Sequence, residues 1–357
     1  MRLGVDLTAC WRPRVGMVTA SLELARAMAA PDPARLVLLA SRERPPGFAK
    51  SAAILSPHRH ELANKLAWMP SVEASAGLRA ILYPYWPSPP LRRRGAPPAT
   101  LFVHDLAFSL RPREVPWQQR LYLGSVLPRA LEGAAAVMVP TAATRSDLLD
   151  CYPLPGLQGK VHVVPEGPTP LPSPGPLPAG VEPGFILAVG TLEPRKNYPR
   201  LVAAHRLLRA RARVPPLVIA GREGWGYSQE VAGLRREPAV TLLGHVDDAT
   251  LAGLYAHAAA FCFPSLHEGF GIPLLDAMAA GLPCLVGDSG ALSEVAVEAA
   301  LVVPAADTEA IAAGLERVLG DGALRNQLSA RGRARAGAFS WERAGAQALA
   351  ILEATAA

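Results

Sequence analysis

The chain has 357 residues, of which half are hydrophobic and 18% are charged, with a net charge of +6 at pH 7. This length exceeds one usual core, so two domains are predicted, and the positive charge favours anionic partners such as nucleotide phosphates, nucleic acid or an acidic membrane surface. Four widely spaced cysteines argue against a zinc cluster or a disulfide framework and fit a reducing cytosol. No apolar run approaches 18 residues and no signal segment is recognisable, so we expect a cytoplasmic chain that does not span a membrane.

The first half alternates apolar runs with amphipathic stretches. The runs are "LVLLAS" (36–41), "ATLFVHD" (99–105), "AAVMVPT" (135–141) and "KVHVVPEG" (160–167). This alternation is typical of βα units and predicts a parallel sheet. We therefore expect an N-terminal doubly wound domain over residues 1–168.

A proline-rich segment follows, and the same pattern then restarts. Residues 169–184 are predicted to form an extended interdomain linker, because proline cannot donate to a β-ladder. The later runs are "FILAVG" (185–190), "PLVIAG" (216–221), "VTLLGH" (240–245), "AAFCFPS" (259–265), "PCLVGD" (283–288) and "ALVVPA" (300–305). They predict a second doubly wound domain over 185–338, with ligands outside the carboxyl ends of its strands. A last helical segment, 339–357, closes the chain.

The stretch "HEGFGIPLLDAMAAG" sets two acids beside a glycine-rich turn. Gly269 and Gly271 allow backbone to approach a ligand, and Pro273 suits the first turn of a helix. Asp276 is expected in that first turn and Glu268 in the loop before it, so both acids face one pocket. The plainer interpretation is that Asp276 complements the helix dipole and that Glu268 is a solvated loop acid.

A second candidate site lies in "AVGTLEPRKNYPRLV". A strand is predicted to end at Gly190, Thr191 begins the loop, and a helix begins near Tyr198. Between them, Arg195 and Lys196 (hereafter the cation pair) are well placed for a diphosphate, since arginine offers a planar fork and lysine a mobile charge. The alternative is a charge pair on a solvated loop.

Together with "LVIAGREGWG", "VTLLGHVDD" and "SEVAVEAALVVPAAD", these motifs resemble the family 4 retaining glycosyltransferases, and particularly a bacterial mannosyltransferase-like branch that builds surface polysaccharides. The resemblance covers nearly the whole chain. It implies an α/β fold of the GT-B class, in which two Rossmann-like doubly wound domains face a cleft. The N-terminal domain is then the acceptor-binding domain and the C-terminal domain binds the nucleotide sugar. We expect the C-terminal helix to pack back on the N-terminal domain.

The resemblance also assigns roles to the two motifs. By it, the cation pair binds the donor diphosphate, Glu268 lies near the donor sugar, and Asp276 replaces the glutamate that holds the ribose hydroxyls, with one methylene less reach. Backbone amides that approach the sugar belong to Gly269, Phe270 and Gly271. Gly190 and Thr191 are placed in the same donor site.

Other residues match the family less closely. Val246 matches a stretch that contacts the base through backbone, and His104 and Asp105 match a segment on the acceptor side. His104 would orient or polarise an acceptor hydroxyl, although a histidine at a strand end is as often a structural hydrogen-bonder. Gly16 matches the family's N-terminal glycine-rich loop and is assigned to donor binding by the resemblance, although it stands alone where the family commonly has several glycines.

The resemblance further implies a chemistry without metal. No D-x-D triplet is found, so the cation pair would stabilise the leaving diphosphate, and no cofactor is expected. GDP-mannose is the favoured donor, with dTDP-rhamnose and UDP-hexoses left open, and the acceptor is a glycan or lipid-linked. Basic runs are scattered and lack aromatics, which argues against nucleic acid. The basic loop "PSPPLRRRGAPP" (87–98) suggests peripheral membrane contact.

Two alternatives stay open on sequence grounds. One is a GT-B nucleotide-sugar epimerase or hydrolase, which would share the donor site without transferring to an acceptor. The other is a non-catalytic protein that binds anions or a membrane surface through its arginines.

Overall fold

The computed structural model describes residues 1–10, 16–58, 63–85, 87–90, 92–225 and 228–357. The chain divides into two compact units. Unit 1 contains Met1–Leu110, Trp117–Gly167 and Ser340–Ala357, and unit 2 contains Arg111–Pro116 and Pro168–Phe339.

Unit 1 is built on a seven-stranded parallel sheet. Its strands are β1 Leu3–Leu7, β2 Leu36–Ser41, β3 Ala52–Ser56, β4 Ala80–Tyr83, β5 Ala99–Phe102, β6 Ala136–Val139 and β7 Val161–Val163. Its α-helices are α1 Gly16–Ala29, α2 Met69–Ser75, α3 Ala107–Leu110, α4 Trp117–Gly133 and α5 Ala142–Cys151, and a π-helical turn, Asn64–Trp68, leads into α2. The strand order is β3-β2-β1-β4-β5-β6-β7.

Unit 2 repeats this design with six parallel strands. They are β8 Ile186–Val189, β9 Leu217–Ala220, β10 Val240–Gly244, β11 Ala260–Phe263, β12 Cys284–Gly287 and β13 Leu301–Val303. The helices are α6 Tyr198–Arg211, α7 Ser228–Leu234, α8 Asp248–His257, α9 Ile272–Ala279, α10 Gly290–Ala296, α11 Thr308–Gly320 and α12 Gly322–Ala336. The strand order is β10-β9-β8-β11-β12-β13. The two parallel doubly wound sheets predicted from the sequence are therefore confirmed.

The strand order of unit 2 determines where the loops after β8 and β11 lie. The chain first builds outward from β8 to β10 and then returns to the other side of β8 with β11. The loops that follow β8 and β11 therefore leave the sheet in opposite directions, and a crevice opens between them at the carboxyl ends of the strands. The strands β9, β11 and β12 are buried along their whole length, as expected for a parallel sheet covered on both faces.

The last helix, α13 (Trp341–Ala356), belongs to unit 1 and packs on α1. Ser340 caps it by accepting the Arg343 N–H at 3.2 Å. The two helices approach so closely that a Cβ at Gly345 would lie 2.5 Å from the Cβ of Ala27. The expected return of the C-terminal helix to the N-terminal domain is thus confirmed.

The proline-rich segment after Gly167 packs within unit 2. The Gly175 N–H donates to the Ala249 carbonyl at 2.8 Å, and the Gly184 N–H donates to the His257 carbonyl at 2.8 Å. Residues 111–116 also group with unit 2, a detail that the sequence pattern did not predict. The Trp225 indole N–H donates to the Glu114 carbonyl at 3.0 Å, which ties this short stretch to unit 2.

Candidate active site

The cation pair lies in the loop that leaves β8. The loop contains a 3₁₀ turn over Pro194–Lys196 and ends at Asn197, which adopts a left-handed conformation at φ 63° before α6 begins. Gly190 opens the loop in a conformation that favours glycine, at φ 148°, and its carbonyl accepts the Tyr198 hydroxyl at 2.9 Å. A Cβ at Gly190 would lie 3.3 Å from Cε of Lys196, so the glycine lies directly against the lysine stem.

Asn197 fixes this loop to two other strands. Its Nδ2 donates to the Pro264 carbonyl at 2.9 Å, just beyond β11, and to the Ala305 carbonyl at 2.7 Å, beyond β13. Its Oδ1 accepts from Arg200 at 2.6 Å. Asn197 was not predicted as a site residue, although an asparagine directly before a helix is a recognisable signal for a left-handed residue.

Glu268, from the loop after β11, lies between the two cations. The Arg195 guanidinium donates to Glu268 Oε2 at 2.7 Å, and the Lys196 ammonium donates to Oε1 at 2.6 Å. The Lys196 ammonium also lies over the Phe263 ring, 4.6 Å from its centroid. The structure therefore unites three of the predicted catalytic residues in one buried cluster.

Electrostatics hold this cluster in its charged form. Burial raises the pKa of Glu268, but the adjacent Arg195 and Lys196 outweigh it and lower the pKa to about 2. Burial lowers the pKa of Lys196, and Glu268 opposes that effect. Glu268 is consequently a carboxylate at neutral pH and accepts hydrogen bonds without donating a proton.

A second acid completes the charge balance. Arg195 Nε lies 2.6 Å from Glu193 Oε1 in an ion pair, and Arg195 Nη1 donates to the His267 carbonyl at 3.2 Å. Two cations thus face two carboxylates, Glu193 and Glu268, both buried. This pairing was not predicted from the sequence, where the cation pair was expected to be open to a ligand.

The glycine turn after Glu268 is closely packed. The Glu268 N–H donates to the Ser289 hydroxyl at 3.3 Å. Phe270 is buried and meets the edge of Phe339, with 5.5 Å between ring centroids. Gly271 has φ 105°, and a Cβ there would lie 2.6 Å from the Leu292 side chain, so this position needs glycine. Gly269, also buried, lies between Glu268 and Phe270.

Asp276 differs from its predicted setting. The helix α9 begins at Ile272, so Asp276 is its fifth residue, and the prediction that it lies in the first turn is wrong. The carboxylate accepts the Thr169 N–H at 2.7 Å on Oδ1 and the Thr169 hydroxyl at 2.8 Å on Oδ2. Burial raises the pKa of Asp276 to about 7, although both bonds from Thr169 lower it.

In unit 1, His104 follows β5 and is enclosed by acceptors. Its Nδ1 lies 2.8 Å from the Glu166 carboxylate, and its Nε2 lies 2.7 Å from the Pro84 carbonyl. The Pro84 carbonyl can only accept, and an ionised Glu166 carboxylate likewise accepts, so this geometry favours a ring protonated on both nitrogens. Burial opposes this charge, but Glu166 and, more weakly, Asp105 raise the pKa of His104 above its usual value. Glu166 was not predicted, although it ends a predicted strand.

The remaining predicted residues lie in other segments of their own units. Asp105 accepts the Ala107 N–H at 3.0 Å and so caps a short helix. Val246 is half-buried in the turn between β10 and α8, and Thr191 is half-buried beside Gly190. Gly16 begins α1 and is exposed, whereas the loop before it (residues 11–15) lies outside the described residues.

The described ranges contain neither a metal-ligand cluster nor a membrane-spanning helix. No group of three or more His, Cys, Asp or Glu side chains there could hold a metal ion. Within the same ranges, no helix combines the length and the apolar character that crossing a bilayer would require.

Comparison with known proteins gave consistent matches. The sequence profile of the family described as "Glycosyl transferases group 1" matches residues 175–335. O-antigen chain mannosyltransferase B of Escherichia coli is 33% identical over 256 residues, which are 68% of this chain and 67% of that protein. Serotype-specific mannosyltransferase WbdA of Escherichia coli is 37% identical over 120 residues, which are 32% of this chain but only 15% of that protein.

Solved structures agree with the fold. Sucrose-phosphate synthase from Thermosynechococcus elongatus has a TM-score of 0.77 at 23% identity, covering 98% of this chain and 97% of that one. This likeness, with the two doubly wound sheets, confirms the predicted fold.

Proposed function

The chain belongs to the group 1 glycosyltransferases, and on that premise we propose that it transfers a hexose, with mannose preferred, from a nucleotide-diphosphate sugar. The chain is thus an enzyme, a glycosyltransferase. Its mannosyltransferase relatives support GDP-mannose as donor and a glycan or lipid-linked acceptor in surface polysaccharide synthesis at the cytoplasmic face. The observation that carries the proposal is Glu268 held between Arg195 and Lys196 in the crevice of unit 2.

The cluster suits the charge that develops during transfer. Breaking the anomeric C–O bond passes through an oxocarbenium-like state and puts negative charge on the departing diphosphate. Arg195 and Lys196 are held in place by buried carboxylates, so they are positioned before the donor arrives. Glu268, ionised at neutral pH, accepts hydrogen bonds from sugar hydroxyls and offsets the positive charge of the cleaving sugar.

We further propose that transfer needs no metal and retains the anomeric configuration. The cation pair takes the place of a divalent ion in neutralising the diphosphate. The acceptor oxygen bonds to the anomeric carbon on the face that the diphosphate leaves, and the acceptor proton passes to the leaving phosphate oxygen. Activity should therefore survive EDTA, and NMR of the product should show the donor's anomeric configuration.

The proposal is tested by removing each cation. Arg195→Ala and Lys196→Ala should each lower kcat by about 100-fold or more, since loss of one preorganised donor typically costs that much. Arg211→Ala is the matched control, because Arg211 forms an exposed pair with Glu309 in the same unit. The assay is release of GDP from GDP-mannose in the presence of acceptor. Full activity of both cation variants would refute the assignment.

The same assay separates the alternatives. Incubation with donor alone distinguishes a transferase from an epimerase or hydrolase, because only the latter two change the donor without an acceptor. A thermal-shift screen with GDP, UDP, dTDP and ADP ranks the nucleotides first. Absence of any shift would argue against a nucleotide site and favour the non-catalytic protein that binds a membrane surface.

We also propose peripheral contact with anionic lipid through unit 1. In the basic loop 87–98, Arg92 is tied to Glu73 at 3.0 Å, whereas Arg93 and Arg94 are exposed. Charge attraction of this kind weakens with salt. Sedimentation with anionic liposomes at low salt should be lost in Arg93→Glu/Arg94→Glu, and equal binding by the variant would refute the contact.

A further inference from the structure

Thr169 occupies both oxygens of Asp276. The Thr169 N–H donates to Oδ1 at 2.7 Å and its hydroxyl donates to Oδ2 at 2.8 Å. The two residues are 107 positions apart in sequence, and both lie in unit 2. The carboxylate is 6% exposed and accepts one donor on each oxygen, so a ligand that binds Asp276 must share or replace the bonds from Thr169.

The sequence around Thr169 makes this contact rigid. Thr169 stands between Pro168 and Pro170, and neither proline has an N–H. A residue that precedes proline is confined to extended conformations, so the N–H and the hydroxyl of Thr169 are presented together with little entropy to lose. Thr169 therefore offers two adjacent donors in a fixed arrangement.

Two adjacent donors are also what a ribose offers. The 2′- and 3′-hydroxyls of a ribonucleotide are neighbours on the ring, and a carboxylate binds such a pair with one oxygen each. From this geometry we propose that Thr169 competes with the ribose of the donor nucleotide for Asp276, and so sets both the affinity for the nucleotide and its dependence on the ribose hydroxyls. This inference rests on the proposed function, because it takes a sugar nucleotide as the ligand of unit 2.

The surroundings of Asp276 support an exchange. Burial raises the pKa of Asp276, and the two bonds from Thr169 lower it and so stabilise the carboxylate. A ribose that displaces Thr169 exchanges two hydrogen bonds to Asp276 for two similar ones, so the ribose hydroxyls add little to the net affinity for the nucleotide. Removing the Thr169 hydroxyl leaves Oδ2 without that donor and makes a ribose hydroxyl the better partner.

Isothermal titration calorimetry compares the binding of GDP with that of 2′,3′-dideoxy-GDP. Where GDP does not bind, UDP and 2′,3′-dideoxy-UDP replace them. In the unaltered protein the two nucleotides should bind within about 3-fold of each other, because each hydroxyl only replaces an existing bond. Thr169→Val should bind GDP about 10-fold more tightly, the ordinary contribution of a hydrogen bond to a charged group. Its affinity for the dideoxy nucleotide should not change.

Two further variants separate a local effect from a general one. Thr169→Ser keeps the hydroxyl and should behave as the unaltered protein does. Thr355→Val removes a hydroxyl that donates to the Leu352 carbonyl in α13 and should alter neither affinity. Melting temperatures of all variants establish that each is folded.

The opposite results are equally specific. Weaker or unchanged GDP binding by Thr169→Val, or a 10-fold preference for the ribonucleotide in the unaltered protein, would overturn the competition while leaving the proposed function intact. Failure of every nucleoside diphosphate to bind the unaltered protein would instead refute the proposed function, and the competition would fall with it.

Discussion

Replacing Glu268 by glutamine tests the central cluster without changing its shape. The variant keeps an oxygen that accepts hydrogen bonds but loses the charge that balances Arg195 and Lys196. A carboxyl whose pKa falls from 4.5 to about 2 on folding contributes about 3 kcal/mol of stability at pH 7. Loss of one partner from a buried ion pair typically costs about 3 to 5 kcal/mol, which agrees. We therefore expect Glu268→Gln to lower the unfolding free energy of unit 2 by about 3 kcal/mol at pH 7.

The pH dependence makes this expectation specific. Because folding lowers the pKa of Glu268, its stabilisation is fully present above pH 4.5 and is lost as the pH falls toward 2. The difference in unfolding free energy between the unaltered protein and Glu268→Gln should therefore shrink below pH 4.5.

Urea unfolding at pH 7 and pH 3, monitored by hydrogen exchange of unit 2 peptides, measures the difference in unfolding free energy between the unaltered protein and Glu268→Gln. Glu309→Gln, in an exposed pair with Arg211, should cost less than about 1 kcal/mol. Equal losses of unfolding free energy in Glu268→Gln and Glu309→Gln would refute the reasoning. A loss in Glu268→Gln that does not change with pH would refute it as well.

Four other substitutions are informative. Asn197→Ala should lower the unfolding free energy by about 3 kcal/mol, because two buried carbonyls lose their donor and the left-handed backbone stays strained; a loss below about 1 kcal/mol would contradict this. Gly271→Ala should cost about 2 kcal/mol in urea unfolding, since its φ is 105°, and a neutral result would contradict the packing. Burial raises the pKa of Asp276 from 3.8 to about 7, so the unfolding free energy should fall by about 4 kcal/mol as the pH rises between these two pKa values. Melting curves of Asp276→Asn should lack that decline, and a decline that persists would exclude Asp276 as its source. Glu166→Gln should lower the pKa of His104 as followed by NMR, and an unchanged titration would show that the carboxylate does not hold the charge.

Much of the fold was predictable from the sequence because local pattern determines it. All six apolar runs of the second half are strands, and α9 begins one residue before the proline that marked it. That single residue moved Asp276 out of the first turn. Helix boundaries depend on capping geometry, which the letters alone do not fix.

The pairings inside the candidate site were harder to predict. The order of the strands brings Glu268 to the cation pair, and this order is a property of the whole sheet. The partners Thr169 and Glu166 come from distant segments, with no local signal for either contact. The roles assigned to these residues in catalysis and nucleotide binding stay predictions.

The return of α13 to α1 has a consequence for biosynthesis. A chain emerging from the ribosome usually folds its N-terminal domain first. Residues 340–357, which form the helix that packs on α1, follow all of unit 2 in the chain. The α1 surface that α13 covers therefore stays open until those residues are made, and unit 2 can complete its fold before that contact forms.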